Sequence, residues 1–286
     1  MRHYVTLFDK DYLAKGLALF KSLQERSSVP FTFNILALDN ETNVALIINW
    51  DKSVGPNTPV GYTVYPYSAV SNPALDLMRE YRTKAEFAWM MASYWLALNR
   101  CSYKEVTYLD SDLFFYYDPE LVWKEIGDKK VAIIPHRFPE HDYARLAPNG
   151  LFNVSWVTFR EDPLAKKVLS QWVYQNLSKC SEESAGDQKY LDNWPFDLED
   201  KLCVIKPIGM GAGPWNIYTY KTTEGPQVNG EPLVFFHLHE HRRKGSKTRT
   251  GYPITSDNIK YIYEPYEKVL DSCEELAKEL QERRLQ

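Results

Sequence analysis

Short apolar runs alternate along the chain with segments whose apolar residues have helical spacing. Continuous runs of apolar and β-branched residues are typical of buried strands, and they occupy residues 3–8, 31–38, 62–65, 106–109, 131–134, 154–159, 202–205 and 233–238. Apolar spacings of three and four, or a dominance of helix-forming residues, predict helices at 12–23, 44–50, 83–99, 163–177 and 258–285. Strands that alternate with helices predict an α/β fold built on a mainly parallel central sheet flanked by helices.

Composition and charge narrow the class of protein. The 286 residues allow one large domain or two small ones, and 44% hydrophobic with 25% charged residues excludes a disordered chain. A net charge of −4 gives no basic field for nucleic acid, so we expect no nucleic-acid partner. The basic run at residues 241–244 is either a solvated loop or a patch that faces phosphate or anionic lipid, which allows peripheral membrane contact.

Three further features indicate the compartment. No apolar run approaches the roughly 18 residues that a transmembrane segment needs. The first eight residues lack the core of a signal peptide. The four cysteines are widely spaced and fit free thiols in a reducing compartment. We therefore expect a cytoplasmic location.

Two carboxylates directly follow the apolar strand at 106–109. Asp110 and Asp112 are separated by Ser111, and in an extended chain residues two apart point the same way. Both can then face one cation at the carboxyl edge of the sheet, where open α/β folds bind ligands. Hard oxygen ligands suit Mg²⁺ or Mn²⁺ bridging a diphosphate. Caps of a turn are the alternative, but the position after a buried strand favours the metal.

The segment 108–112 resembles the Asp-x-Asp motif of GT-A nucleotide-sugar glycosyltransferases, especially the family 8 type that includes glycogenin and bacterial lipopolysaccharide galactosyltransferases. Three further segments follow in the family's order: 152–154 is similar to its Phe-Asn-x-Gly, 186–191 to its Asp-Gln-x-x-Leu-Asn, and 236–239 to its late His-Phe strand. Residues 213–216 resemble the Ala-Pro-Trp-Asn of a less characterised bacterial group. The family's Gly and Pro-Trp are missing after 237, and its Gly is missing after 152–154.

The resemblance covers roughly residues 3 to 245. It implies a GT-A (Rossmann-like) fold, with a glycosyltransferase domain over residues 1–250 and a C-terminal helical extension over 251–286 that packs on the same domain. It also implies a metal-dependent hexosyltransferase that moves a sugar from a nucleotide-diphosphate donor to a glycan or other hydroxyl acceptor, with retention of configuration. UDP-sugar is the expected donor and GDP-sugar the alternative.

Two histidines are candidates for the third metal ligand. His237 and His239 lie two apart on a predicted strand and so share a face. A neutral imidazole beside two carboxylates shifts the preference from Mg²⁺ towards Mn²⁺. The family pattern selects His237, with His239 as the second candidate. Either residue could instead be a hydrogen-bonded packing residue.

The remaining donor contacts are candidates by resemblance. At the junction of the first strand and helix, a carboxylate can accept from a uracil N–H and a tyrosine can stack on the base. Cations at the start of the helix at 83–99 suit phosphates. The candidates are Thr6, Phe8, Asp9, Tyr12, Arg82, Lys84, Ser111, Asn153, Trp215, Asn216 and Lys244. The alternatives are structural: Asp9 as a helix cap, Tyr12 as a core residue, the two cations as a solvated helix start, and Trp215 as a buried loop anchor.

Asp187 and Gln188 are the candidates beside the transferred sugar. Asp187 could orient sugar hydroxyls, stabilise an oxocarbenium ion or, in an inverting enzyme, act as general base. Its alternative is a helix cap. Two other functions remain: a nucleotidyltransferase, which would want a glycine-rich basic loop that residues 8–12 do not form, and an inert binding module, which would not need to keep all three metal-ligand candidates.

Overall fold

A computed structural model describes residues 1–53, 61–181, 186–244 and 247–283. Its first half alternates strands and helices as the apolar pattern predicts, with an additional helix, α3. The elements are β1 (Arg2–Phe8), α1 (Leu13–Arg26), β2 (Phe31–Ala37), α2 (Asn40–Ser53), β3 (Gly61–Pro66), α3 (Pro73–Tyr81), α4 (Lys84–Ser102) and β4 (Glu105–Leu109).

The second half contains shorter elements and more irregular chain. The elements are β5 (Leu113–Phe115), α5 (Glu120–Ile126), β6 (Val131–Pro135), α6 (Leu146–Asn149), β7 (Phe152–Arg160), α7 (Pro163–Ser178), α8 (Trp194–Leu198), β8 (Leu202–Val204), β9 (Met210–Ala212), β10 (Thr222–Thr223), β11 (Gln227–Val228), β12 (Glu231–Pro232), β13 (Phe235–His237), β14 (Arg242–Lys244), β15 (Lys247–Arg249), α9 (Ser256–Asn258) and α10 (Glu264–Arg283). A π-helical segment, Ile259–Tyr263, joins the last two helices.

The central sheet confirms the predicted α/β architecture. Among the described residues it has seven strands in the order β3-β2-β1-β4-β7-β6-β8. Neighbouring strands are parallel except where β7 lies antiparallel to both β4 and β6. The carboxyl ends of β1 and β4 therefore meet at one edge, where ligands bind in open α/β folds.

The sheet is buried on both faces. Alternate residues of β1 enter different hydrophobic clusters, with Tyr4 on one face and Val5 on the other, as the two-residue period of a strand requires. The first cluster includes side chains of α1 and α10, and the second includes side chains of α4 and α7. Helix α10 thus covers α1, and its buried residues Leu270, Cys273 and Leu280 belong to the first cluster.

A small second sheet links two distant parts of the chain. Its order is β5-β13-β9, and β5 pairs antiparallel with β13 so that Leu113 lies opposite His237. Because β5 begins just after Asp112, this pairing brings a histidine from late in the sequence to the end of β4.

The described residues bear on the expectations about membrane segments and cysteines. In the described part of the chain, no helix combines the length and apolarity that a membrane crossing requires. All four cysteines lie within the described residues as free thiols, and Cys101 is the exposed one. The cytoplasmic location, the absence of a nucleic-acid partner and the boundary between residues 250 and 251 stay predictions.

Candidate metal and donor site

The two aspartates lie on a tight turn between β4 and β5. The Asp110 amide donates to the Ser155 carbonyl of β7 (3.1 Å), and the Asp110 carbonyl accepts from the Leu113 amide (3.2 Å). The extended chain assumed from the sequence is therefore wrong for residues 110–112. The turn still brings both carboxylates to one side, because Asp112 lies directly beside the end of β13.

Asp110, Asp112 and His237 converge on a common point. His237 Nε2 lies 3.0 Å from Asp112 Oδ1 and 3.8 Å from Asp110 Oδ2. One ligand atom from each residue lies within 4.8 Å of the other two. Two carboxylate oxygens and an imidazole nitrogen form a donor set that fits Mn²⁺ or Mg²⁺. The geometry thus brings together the three residues that the sequence proposes as metal ligands.

The charges of this group favour a cation. Burial raises the pKa of Asp110 to about 6, although the neighbouring His237 opposes the rise. Burial also acts to raise the pKa of Asp112, but the charge and hydrogen bond of His237 outweigh it and hold that pKa below its usual value. Burial alone would lower the pKa of His237, yet Asp112 and Asp110 raise it. In the absence of another cation, a proton on the imidazole neutralises part of this charge.

The neighbours of His237 fix the direction of its ring. Its Nδ1 is buried and has no hydrogen-bond partner among the described residues. The other ring nitrogen faces both carboxylates, and the Trp215 ring stands edge-on to the imidazole at 5.3 Å between centroids. Packing therefore fixes the orientation of this imidazole. His239 lies next to it, with ring centroids 5.7 Å apart, and its side chain is 45% exposed.

Asp187 is influenced by the charge of Asp110 and does not act as a helix cap. Its side chain is buried and makes no capping hydrogen bond to the turn Gln188–Asn193. Burial, and then the charge of Asp110, raises the pKa of Asp187 well above its usual value. The structure thus favours a position beside the carboxylate group over the capping alternative. Gln188, the next residue, is half-buried.

Tyr108 is a member of this group that the sequence analysis did not select. It is buried, and the charge of Asp110 acts on its hydroxyl. Its pKa is raised well above the usual value by burial and by the charges of Asp110 and Asp187. The spacing contained a signal for it, because Tyr108 lies in β4 two residues before Asp110.

The junction of β1 and α1 forms one side of the site. Asp9 accepts from the Asp11 amide (3.0 Å), which is the capping alternative, and Lys84 lies 3.8 Å from Asp9 and 2.9 Å from Asp11. Tyr12 is 41% exposed, so it is not a core residue. Burial, together with the charges of Asp112 and Asp110, raises its pKa to about 12. Asp9 and Tyr12 are thus available at the predicted edge.

Thr6 and Phe8 are less accessible than the donor prediction requires. Both are buried in β1, at 0% and 2% exposure. Thr6 Oγ1 has no hydrogen-bond partner among the described residues. The two residues form the floor beneath the junction.

Arg82 has a structural partner. Its guanidinium donates to the carbonyls of Asn176 and Leu177 (3.0 and 2.9 Å) at the end of α7. A cation that satisfies the last carbonyls of a helix is a common way to stabilise its end. This contact explains a positive charge beside the start of α4, and the phosphate contact of Arg82 stays a prediction.

Trp215 and Asn216 anchor a loop. Both are buried, and both donate from the side chain to the His136 carbonyl, Trp215 from Nε1 at 2.6 Å and Asn216 from Nδ2 at 2.9 Å. This arrangement corresponds to the alternative of a buried anchor. A direct sugar contact does not fit it, because the polar atoms are already used and Trp215 is 3% exposed.

Three further predicted contacts have different outcomes. Asn153 is buried, and its Oδ1 accepts from the Ser155 amide (2.9 Å), on the strand that also binds the Asp110 amide. Ser111 is buried within the aspartate turn. The side chain of Lys244 lies outside the described part of the chain.

A cavity of about 410 Å³ opens close to these residues. Its lining comes from α1, β14 with the residue before it, and α10: Asp11, Ala14, Lys15, His241, Arg242, Arg243, Leu270 and Glu274. We call this space the cationic cavity. The guanidinium of Arg243 pairs with Asp271 and, at 2.8 Å, with Glu274.

Two cations of the cavity have no carboxylate partner. Lys15 and Arg242 form no ion pair with a described residue, although Lys15 lies over the Tyr12 ring at 4.4 Å. The positive charge of Lys15 acts on Asp112 and His237 and so favours the ionised carboxylate and the neutral imidazole. The basic run at 241–244 indicated this region, whereas Lys15 had no sequence signal.

Comparison with other proteins places the chain in a family. The uncharacterized protein YfnF of Bacillus subtilis (strain 168) is 30% identical over 285 residues, which cover 93% of the chain and 91% of YfnF. The chain belongs to the YfnF family. A second B. subtilis protein, the uncharacterized YfnD, is 24% identical over 281 residues, covering 92% of the chain and 87% of YfnD. No family model matches this member of the YfnF family.

Solved structures confirm the GT-A fold for this YfnF-family chain. The galactosyltransferase LgtC, solved with donor and acceptor sugar analogues, superposes with a TM-score of 0.57 at 15% identity, covering 94% of this chain and 95% of LgtC. Mouse xyloside xylosyltransferase 1 gives 0.54 at 13%, covering 83% and 97%. The glycosyltransferase GlyE of Streptococcus pneumoniae TIGR4 gives 0.56 at 15%, covering 98% and 63%. At these identities the likeness shows a common fold.

Proposed function

We propose that the chain is a metal-dependent glycosyltransferase that uses a nucleotide-diphosphate sugar, with UDP-sugar as the donor and a glycan or other hydroxyl group as the acceptor. The observation that carries the proposal is the convergence of Asp110, Asp112 and His237 at the edge of a GT-A sheet. These residues come from a turn after β4 and from the end of β13, and packing alone gives no reason to bury so many ionisable groups together.

Asp110, Asp112 and His237 would hold the divalent ion. When bound, Mn²⁺ or Mg²⁺ supplies a Lewis acid that neutralises negative charge on a diphosphate leaving group. Tyr108 is buried within reach of the charge of Asp110, and Trp215 packs against the imidazole of His237. The packing of Trp215 restricts the imidazole to one arrangement and so reduces the cost of assembling the site.

The phosphates and the base of the donor are assigned to different neighbouring residues. The unpaired Lys15 and Arg242 of the cationic cavity attract the remaining phosphate charge, since charge-assisted hydrogen bonds to phosphate are strong. Asp9 accepts from the base and Tyr12 stacks on it. Lys84 neutralises Asp9 and Asp11 and so keeps repulsion of the phosphates low.

Asp187 is the residue that we assign to the transferred sugar. Buried next to Asp110, it orients hydroxyls of the transferred sugar. In a retaining, same-face transfer, the bond between the anomeric carbon and the phosphate oxygen breaks as the acceptor oxygen bonds to that carbon. The acceptor proton leaves on the phosphate, so no protein base is required.

A thermal-unfolding screen tests the nucleotide and metal together. UDP with Mn²⁺ is expected to raise the melting temperature, because a ligand that binds only the folded state at about 100 times its dissociation constant adds about 2.7 kcal/mol of stability. GDP with Mn²⁺ and UDP with EDTA are the comparison samples, and release of UDP from UDP-sugars then measures turnover. Stabilisation by no nucleotide in the presence of metal would contradict the proposal.

A further inference from the structure

A connected row of side chains leads away from the metal candidates through His239. The His239 ring lies 6.3 Å from the Tyr252 ring, and the Arg145 guanidinium lies over the Tyr252 ring at 5.0 Å. Arg145 Nε is 3.6 Å from Asp142 Oδ1, and the Tyr218 hydroxyl donates to Asp142 Oδ2 at 3.2 Å. We call Tyr252, Arg145, Asp142 and Tyr218 the tyrosine wall.

The wall is a built surface that remains accessible. His141 Nε2 lies 3.0 Å from the Tyr218 hydroxyl and extends the row by one residue. The Arg145 side chain is 43% exposed, that of Asp142 is 24% exposed, and Tyr252 is half-buried. Three loops meet here, from the β6–β7 connection, from the turn Ile217–Thr219 and its neighbours, and from the segment before α9. Their side chains hold one another, which reduces the entropy that a ligand would lose on binding.

The chemistry of the wall is mixed but electrically balanced. Tyr252 and Tyr218 supply ring faces, and Asp142 and Arg145 supply an acceptor and donors of hydrogen bonds whose charges cancel. Ring faces pack against the C–H faces of a sugar, while a carboxylate and a guanidinium bind its hydroxyl groups. A polyanion would instead need unpaired cations, and those lie in the cationic cavity. The wall therefore matches an uncharged, hydroxyl-rich molecule.

We propose that the tyrosine wall binds the acceptor and that the acceptor is an uncharged saccharide. This inference rests on the proposed function, since it places the acceptor hydroxyl beside the metal candidates with His239 between the two regions. The transfer forms the bond from that hydroxyl oxygen to the anomeric carbon, breaks the bond from that carbon to the diphosphate, and moves the hydroxyl proton to the leaving phosphate.

Binding measurements on the full chain test the inference without knowledge of the donor sugar. An array of neutral oligosaccharides, with anionic saccharides, serine- and tyrosine-containing peptides and anionic lipid vesicles as competing probes, is incubated with the wild type, UDP and Mg²⁺. We expect selective binding of a neutral saccharide. Tyr252→Ala should weaken it at least tenfold, and Arg145→Gln, which removes the guanidinium that lies over the Tyr252 ring, should weaken it severalfold. Tyr174→Ala is the matched control, since Tyr174 is 71% exposed on α7, outside the wall.

The UDP affinity of each variant separates the two proposals. Unchanged metal-dependent UDP binding in Tyr252→Ala and Arg145→Gln shows that both variants are folded and that the donor side is intact. If the wild type binds no UDP in the presence of metal, the proposed function fails. If UDP binds but the array shows only peptides, vesicles or anionic saccharides, or no ligand at all, the inference about the acceptor is overturned. Saccharide binding that Tyr252→Ala and Arg145→Gln leave unchanged also overturns it.

Discussion

The cationic cavity and the tyrosine wall lie next to the same three metal candidates but differ in charge. Among the described residues, Lys15 and Arg242 of the cavity have no carboxylate in an ion pair, whereas the wall pairs its one arginine with Asp142. The positive charge of Lys15 partly balances Asp112, and both cations of the cavity can attract an anion. On our proposals, the charged leaving group and the uncharged acceptor therefore meet different parts of the site.

The two regions also differ in what holds them. Helix α10 fixes the cavity, because Asp271 and Glu274 bind Arg243 and so position β14 above α1. Loops that bond to one another form the wall. Changes in the cavity should therefore affect the nucleotide, and changes in the wall should affect the acceptor.

Loss of His237, which lies between the cavity and the wall, should have the largest effect on turnover of the donor. His237→Gln keeps a polar side chain but loses the imidazole, and we expect UDP release from the donor to fall by about a thousandfold, since several kcal/mol of charge stabilisation corresponds to such a factor. Asp197→Asn, an exposed change on α8, is the control. Turnover that survives in His237→Gln would remove this histidine from the metal site.

Neutralisation of the cavity should weaken only the nucleotide. Lys15→Met is expected to lower the metal-dependent affinity for UDP by about tenfold to a hundredfold, the range for a lost charge-assisted hydrogen bond to phosphate. Lys21→Met is the matched control, because Lys21 lies on the same helix and bonds to Ser272. Isothermal titration measures both. Equal UDP affinity in the two variants would mean that Lys15 does not meet the phosphates.

Acid should weaken metal-dependent nucleotide binding. The pKa of Asp110 is raised to about 6 by burial, and the pKa of His237 is raised by Asp112 and Asp110 against the effect of burial. Both groups must be deprotonated to bind the ion, so protons compete increasingly as the pH falls through these values. We expect about a tenfold loss of UDP affinity between pH 7.5 and 5.5 at one fixed Mn²⁺ concentration that does not saturate the site. A flat profile over that range would separate these groups from metal binding.

The smallest effect is expected from the loop anchor between the two regions. Trp215→Phe keeps an aromatic ring and removes the Nε1 donor to the His136 carbonyl, which Asn216 still satisfies. We expect the free energy of unfolding to fall by about 1 kcal/mol in urea, with unchanged UDP affinity. A stable variant that loses UDP or saccharide binding would restore the ligand contact that the sequence predicts.

The sequence predicts the central sheet well because its strands are buried on both faces and therefore read as continuous apolar runs. The short strands β5 and β9 and the helix α5 were missed, since they are too brief to produce a period. Asp110 and Asp112 were found by an argument from extended chain, although the chain turns there. His237 depended on a resemblance, because a histidine far away in sequence gives no local sign of its pairing with β5.

Residues whose role depends on tertiary packing could not be assigned from the sequence. Lys15 becomes part of a cavity only when α10 packs on α1. The sequence around Arg82 gives no sign that its guanidinium donates to carbonyls at the end of α7. Trp215 follows a Gly-Pro pair that is typical of an exposed loop. The His136 carbonyl to which its Nε1 donates lies 79 residues away in the chain.

The account depends on a divalent ion held by Asp110, Asp112 and His237 that in turn binds a nucleotide diphosphate. Isothermal titration of UDP into the wild type and Asp112→Asn, each with Mn²⁺ and with EDTA, tests this directly, because the substitution keeps the shape of the side chain and removes its charge. We predict Mn²⁺-dependent UDP binding in the wild type and its loss in a folded Asp112→Asn protein. The same Mn²⁺-dependent affinity in both proteins would contradict the account.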